Sequence, residues 1–186
     1  MDRRQGKMNK RKIDFSDYAN IVTKALPGGI LLTTKGEKVN SMIIGWGTIG
    51  VNWGKPVFAA YVREGRFTRK QLAENPEFTI SVPVGGYDPQ ILKICGGRSG
   101  RDTDKIKEAG LTLVDAETIS VPAIKELPLT LECRVMYVQK QDLAALSEEI
   151  NQTMYPRDVD GTAVGANRDP HVTFFGEIVD AYIIED

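Results

Sequence analysis

Residues 61–72 read YVREGRFTRKQL, with four basic positions against one acidic. The chain as a whole carries a formal net charge of −1, so this is a local concentration. It falls where an apolar stretch, PVFAAYV, hands over to a short helical pattern that stops at Asn75-Pro76. A helix start offers unpaired backbone N–H groups and partial positive charge, which suits a phosphate or carboxylate. Thr68 followed by Gln71 fits a capping box. Arg63 stands at the strand end and Arg66 just before the cap, followed by Phe67, and Gly65 lets the backbone turn between the two arginines. Arg69 and Lys70 oppose the helix dipole by about 0.3–1 kcal/mol each if exposed; a bound anion would offset that. A solvated loop with ion-paired arginines would carry the same residues.

Two further stretches have chemical character. In GWGTIGVNWGKP (45–56), Gly45, Gly47 and Gly50 interrupt an otherwise good strand. Such glycines weaken a strand unless a bulge or a close ligand needs the room. Trp46 gives a large flat surface and Thr48 a hydroxyl, which together suit a planar heteroaromatic ring, as they also suit a bulged core strand. In CGGRSGRDTDK (95–105), glycines alternate with Arg98, Ser99 and Arg101 ahead of a capped helix. This could hold an anion or be a flexible loop, and it lacks the Gly-Lys-Ser/Thr ending of a P-loop.

Much is excluded. The single His, His171, and the two distant cysteines, Cys95 and Cys133, give no zinc pattern. The 158–161 run DVDG begins like a calcium loop but lacks the third acidic ligand and the closing Glu. No Ser-His-Asp set or convincing carboxylate pair is visible. Balanced charge argues against nucleic acid, and no apolar run reaches the length of a membrane span. Two thiols weakly suggest a reducing compartment. With no secretory signal, this predicts a cytoplasmic protein.

The elements that must position these residues are mostly strands. Residues 14–26 form one helical face, with Asp14 or Ser16 as cap and Pro27-Gly28-Gly29 as stop. GILLTT and VNSMIIGWGTIG flank a polar turn at 35–38 and read as a hairpin. PVFAAYV, EFTISVPV, LPLTLECRVMYVQ and HVTFFGEIVDAYII are further strands, the last able to pack on two sides. Asp88-Pro89 and Asp102 begin short helices. Residues 140–169 break the pattern with a short helix and a polar, Gly-rich loop. The fold class is mainly β: an antiparallel barrel with peripheral short α-helices, as a single domain over 13–186, behind a disordered basic tail at 1–12.

Taken in order, these stretches resemble the flavin reductase family with the FMN-binding split barrel, in its flavoredoxin-like subgroup. NSMIIGWGTI is similar to the family strand under the flavin ring, and PVFAAYVREGRFTRKQLAENPEFTISVP to its strand–phosphate loop–helix–strand unit. SGRDTDKIKEAGLTLV, IKELPLTLECRVMYV and HVTFFGEIVDAYI are similar to later blocks. The resemblance implies FMN as cofactor, with its phosphate at Arg63, Arg66 and Thr68, its isoalloxazine along Trp46, Gly47 and Thr48, and Phe67 as a further cofactor-binding residue. Ser99, Arg101, Lys105 and His171 lie near the cofactor in similar proteins. It implies NAD(P)H or a redox protein as electron donor, free flavin or another acceptor, and a homodimer. An NAD(P)H:flavin oxidoreductase and a flavoredoxin-like electron carrier both fit; a non-redox phosphate-binding module is the rival outside the family. Residues 140–169 exceed the minimal family pattern, and a lid over the flavin is one role for them.

Overall fold

The computed structural model describes residues 8–157 and 168–185, so the 158–161 run weighed above as a calcium loop lies outside the described residues. The strands are β1 (Asn9–Lys12), β2 (Ile30–Lys35), β3 (Val39–Ile44), β4 (Gly47–Asn52), β5 (Lys55–Arg63), β6 (Glu77–Val82), β7 (Leu113–Val114), β8 (Ala123–Ile124), β9 (Leu129–Lys140) and β10 (His171–Glu185). Among the described residues five α-helices accompany them: α1 (Phe15–Ala25), α2 (Phe67–Glu74), α3 (Pro89–Gly97), α4 (Lys105–Glu108) and α5 (Glu148–Met154).

The main sheet runs β3-β2-β6-β9-β10-β5-β4, with β1 also on β10, and every pairing in it is antiparallel. Its two end strands, β3 and β4, are separated in sequence only by Gly45 and Trp46. The sheet must therefore curl until its ends meet, as the right-handed twist of strands allows. The chain itself bridges the seam at Gly45-Trp46, and no ladder zips β3 to β4. This is the split of the barrel. The expected antiparallel split barrel is present, and the stretch SMIIGWGTI, read above as part of one strand, is two strands with different partners. Among the described residues the outer edge of β3 has no ladder partner beside the gap, and the strand it faces there is the C-terminal part of β5.

The interior is filled by Leu32, Phe58, Phe78, Ile80, Leu131 and Val172. Leu31, next to Leu32, points the other way and packs with Ile91, Cys95 and Leu127 beneath α3. This two-sided burial explains the unbroken apolar run of β2. At Gly47 an added Cβ would meet the Phe58 ring at 2.7 Å, so glycine there makes room for a barrel-filling aromatic. β10 pairs with β9, β5 and β1, helped by register shifts at Phe175/Gly176 and Ile178/Asp180 that bend the strand.

Local signals behave as their chemistry dictates. Asp14 caps α1 by accepting from Ser16 N at 2.9 Å, and Asp88 caps α3 from Gln90 N at 2.8 Å. Three expectations change. Residues 9–12 of the basic tail form β1, held by Arg11–Glu185 at 2.8 Å, by Lys10–Glu117 and Lys12–Asp180, and by Lys10 and Lys12 over the Tyr182 ring. The cap of α4 is Asp104, whose carboxylate accepts from Lys107 N at 3.1 Å, not Asp102. The Thr68–Gln71 capping box does not form: α2 starts two residues earlier, with Arg66 at the cap and no side-chain hydrogen bond there. Gln71 turns inward instead, accepting from Thr34 Oγ1 and donating to Lys38 O, both at 2.7 Å.

Candidate functional site

The uncapped start of α2 opens into a small pocket of about 80 Å³. At roughly 30 Å³ per water, this holds an oxyanion rather than a ring. Arg66, Phe67, Thr68, Arg98, Gly100 and Lys105 are on its wall, with Asn40 and Gly96. Thr68 is 1% exposed, and its hydroxyl oxygen accepts from Asn40 Nδ2 at 3.0 Å. Its own proton remains for a ligand. Lys105 is 4% exposed; its ammonium donates to one neutral acceptor, Cys95 O, at 3.0 Å. Burial, and to a lesser extent the nearby Arg66, push Lys105 down to about 8, although the Cys95 thiol works the other way. A buried ammonium with a single carbonyl partner among the described residues is a costly arrangement that an anion would relieve. Gly100 is required here, because a Cβ would overlap the Asn40 side-chain oxygen and come within 2.8 Å of the Phe67 ring.

A second cavity of about 240 Å³ continues from the first, sharing Met42, Ile43 and Arg66. It lies along the seam between β3 and β5 and is walled by Ile44, Gly45, Trp46, Tyr61, Arg63 and His171. A third, of about 480 Å³, shares Gly45, Trp46 and Tyr61 and reaches Leu26, Pro27, Gln141 and Tyr155. The result is a groove that is cationic at α2, polar in the middle where Arg63, Arg66 and His171 line it, mostly apolar at its far end by Leu26, Pro27 and Trp46, and bordered by the outer edge of β3. Trp46 is 41% exposed and packs on His171 with ring centroids 4.8 Å apart.

Arg63 does not reach the oxyanion pocket. Its guanidinium donates to Asp169 O at 2.8 Å and Met154 O at 3.1 Å and lies 5.0 Å from the Tyr155 ring centroid. It ties the 140–169 insertion to the groove, and burial lowers its pKa. Gly65 N donates to Asp169 Oδ2 at 2.6 Å, so the turn at Gly65 serves that insertion. Arg101 braces the same loop by donating to Gly65 O at 2.9 Å, and Ser99 Oγ accepts from Arg101 N at 3.2 Å. Neither lies on the wall of the pocket. Thr48 is exposed on β4, outside the three cavities.

The groove thus gathers Trp46, Gly47, Arg66, Phe67, Thr68, Lys105 and His171 from the sequence reading. It leaves Thr48, Arg63, Ser99 and Arg101 outside the roles expected of them. Asn40, Arg98, Gly100, Tyr61 and Tyr155 were not singled out as site residues. Arg98 and Gly100 sit within the glycine-rich 95–105 stretch that drew attention, whereas Tyr155 carried no local signal. Among the described residues no cluster of His, Cys, Asp or Glu is placed to hold a metal, and no helix is long and apolar enough to cross a membrane.

The antiparallel split barrel thus places an oxyanion-sized corner at α2 beside a larger cavity along Trp46. The family model described as flavin reductase like domain matches residues 23–186, and the chain belongs to that family. An uncharacterized protein of Archaeoglobus fulgidus is 30% identical over 122 residues, covering 65% of this chain and 68% of the relative. A flavoredoxin from Methanosarcina acetivorans is 27% identical with a TM-score of 0.59, over 84% of this chain and 68% of that one. An FMN-binding domain of a flavin reductases-like enzyme from Shewanella baltica shares the fold at 16% identity, with a TM-score of 0.62 over 96% and 78% of the two chains.

Proposed function

We propose that the chain binds FMN in this groove and acts as an oxidoreductase, taking a hydride or electrons from NAD(P)H and passing them to free flavin or another acceptor. The observation that carries the reading is the continuity of the oxyanion pocket at α2 with the seam cavity beside Trp46. The residues present fit the group: a buried ammonium with one neutral partner, a hydroxyl with a proton to give, and open helix N–H groups converge where a phosphate would sit. Arg66, Thr68 and Lys105 would hold that phosphate. The free backbone edge running from β3 through Gly45 to Gly47 would hold the polar edge of the ring, with Trp46 and Tyr61 as apolar walls. FMN would supply the redox chemistry that no side chain here provides. The chain's own task is to bind, orient and keep water from the seam.

GWGTIG (45–50) has the G-x-G-x-x-G spacing of a dinucleotide-binding turn, but it joins two antiparallel strands, β3 and β4, and opens no helix; nicotinamide would therefore dock transiently in the groove, and the cavity between Trp46 and Tyr155 has room for a second ring. A flavoredoxin-like electron carrier is the second reading, favoured by the Methanosarcina neighbour. We further propose a cytoplasmic homodimer; the exposed Trp53 and Tyr137, with ring centroids 5.9 Å apart near the β4–β5 turn, support a covered face, and a sedimentation experiment showing an FMN-loaded monomer would contradict it.

The test is an absorbance spectrum of fresh protein before and after anaerobic NADH or NADPH, followed by turnover with added FMN or FAD. A bleached flavin spectrum and nicotinamide oxidation support the enzyme. A flavin spectrum that bleaches only with a reduced redox protein supports the carrier. Protein that neither retains nor takes up flavin refutes both.

A further inference from the structure

His171 is held in a bonding pattern that fixes where its proton lies. Tyr155 is 2% exposed, and its hydroxyl contacts two groups: Gln141 Oε1 at 2.6 Å and His171 Nδ1 at 2.8 Å. The His171 backbone N–H also points at Gln141 Oε1, at 3.4 Å. A backbone N–H can only donate, so that position of Gln141 is an oxygen and an acceptor. The single Tyr155 proton therefore goes to Gln141, and burial, which raises the Tyr155 pKa, keeps it there. The tyrosine oxygen is left to accept, so His171 Nδ1 must carry the hydrogen. In a neutral imidazole the other nitrogen, Nε2, is then a bare lone pair.

The surroundings keep the ring neutral. Trp46 covers one face. Burial, then Arg63 on β5, and in lesser part Arg66 before α2, push its pKa down to about 4, with Asp169 ahead of β10 acting in the opposite direction. Nε2 has no partner among the described residues, and it is not one of the fully buried orphan atoms, while His171 forms part of the seam cavity wall.

We infer that His171 enters the seam cavity as a hydrogen-bond acceptor, through Nε2, and selects a ligand edge that carries an N–H or O–H donor there. A ligand offering only acceptor atoms at that point meets a lone pair with a lone pair. Tyr155 and Gln141, from the 140–169 insertion and its approach, act as positioning residues that set the tautomer. This deepens the FMN reading and, for its ligand half, rests on it: the flavin imide N–H and the ribityl hydroxyls are the two donor sources.

His171 is the only histidine in the chain, so imidazole ¹⁵N NMR of the full-length protein reports on it without assignment work. The ligand-free spectrum at pH 7–8 is expected to show Nδ1 protonated and Nε2 bare, unchanged down to about pH 5. A protonated Nε2, or a titration midpoint near 6.5, overturns the inference. Saturating FMN, with saturation followed separately by flavin absorbance, is expected to shift Nε2 towards the protonated range while Nδ1 stays. An unmoved Nε2 at saturation overturns the ligand half. N3-methyl-FMN separates the sources: a lost shift assigns the imide, a retained one a hydroxyl. Tyr155→Phe is expected to introduce the second tautomer and weaken FMN about three- to tenfold; a single unchanged tautomer refutes Tyr155 as its determinant. If no FMN binds at all, the cofactor reading fails and the ligand half with it, while the ligand-free spectrum still decides the tautomer.

Discussion

Replacing Lys105 with Met should move stability and binding in opposite directions. The fold lowers the lysine from its ordinary 10.5 to about 8, mainly by burial. Because the folded value lies below the unfolded one, the fold favours the neutral amine. The cost of holding an ammonium is fully present below pH 8, shrinks as pH rises from 8 to 10.5, and vanishes above that. A shift of this size corresponds to at most about 3 kcal/mol, and nearer 1–2 kcal/mol after water in the pocket and the lost bond to Cys95 O are allowed for. Ligand-free Lys105→Met is therefore expected to be more stable than the parent at pH 7 in urea unfolding, with the difference fading by pH 10.5. The same change removes a charge-assisted bond to phosphate, about 1.5–3 kcal/mol, so FMN should bind roughly 10- to 100-fold more weakly by fluorescence titration. Parent affinity should also decline as pH rises through 8, and the variant should lack that step. A variant that is destabilised when empty, or that binds FMN as the parent does, refutes the assignment of Lys105 to an anion site.

Arg66→Ala should reduce the preference for FMN over riboflavin about tenfold or more, whereas Arg63→Ala should leave that ratio unchanged and lower Tm, because Arg63 anchors Met154 and Asp169; paired titrations and melts check both. Gly100→Ala should cost about 1–3 kcal/mol by overpacking Asn40 and Phe67, a drop of roughly 3–10 °C in Tm, together with weakened FMN binding. The parent should lose stability relative to His171→Gln as pH falls from 6.5 to about 4, because the unfolded imidazole takes a proton that the folded one refuses; the difference should stay below about 3 kcal/mol. Parallel denaturation curves at pH 7 and pH 4.5 measure it.

The barrel could be read from sequence because its strands are long and alternate or run apolar. β2, β5, β6, β9 and β10 each combine a branched or aromatic run with a turn signal. The seam was harder to read. Gly45, Trp46 and Gly47 marked an irregularity, but which strands it separated depends on β3 pairing with β2 and β4 with β5, which no local pattern encodes. The oxyanion corner was half visible. Arg66 and Thr68 sit in one contiguous run, whereas Lys105, Asn40 and Gly100 join them only through the packing of α3 and α4 against β3. Arg63 shows the limit of reading charge alone: its position was right for a phosphate, but two carbonyls of a distant insertion claim its guanidinium. Tyr155 was invisible for a related reason, since its partners Gln141 and His171 lie 14 and 16 residues away and meet it only in the fold.

Calorimetric titration of the parent protein with FMN and with riboflavin, side by side at pH 7, tests the central claim most directly. Arg66 and Lys105 each supply about 1.5–3 kcal/mol to a phosphate, so FMN should bind at least about 100-fold more tightly than its dephosphorylated form. Equal affinities, or heat from neither, would contradict an FMN site whose phosphate rests at the start of α2.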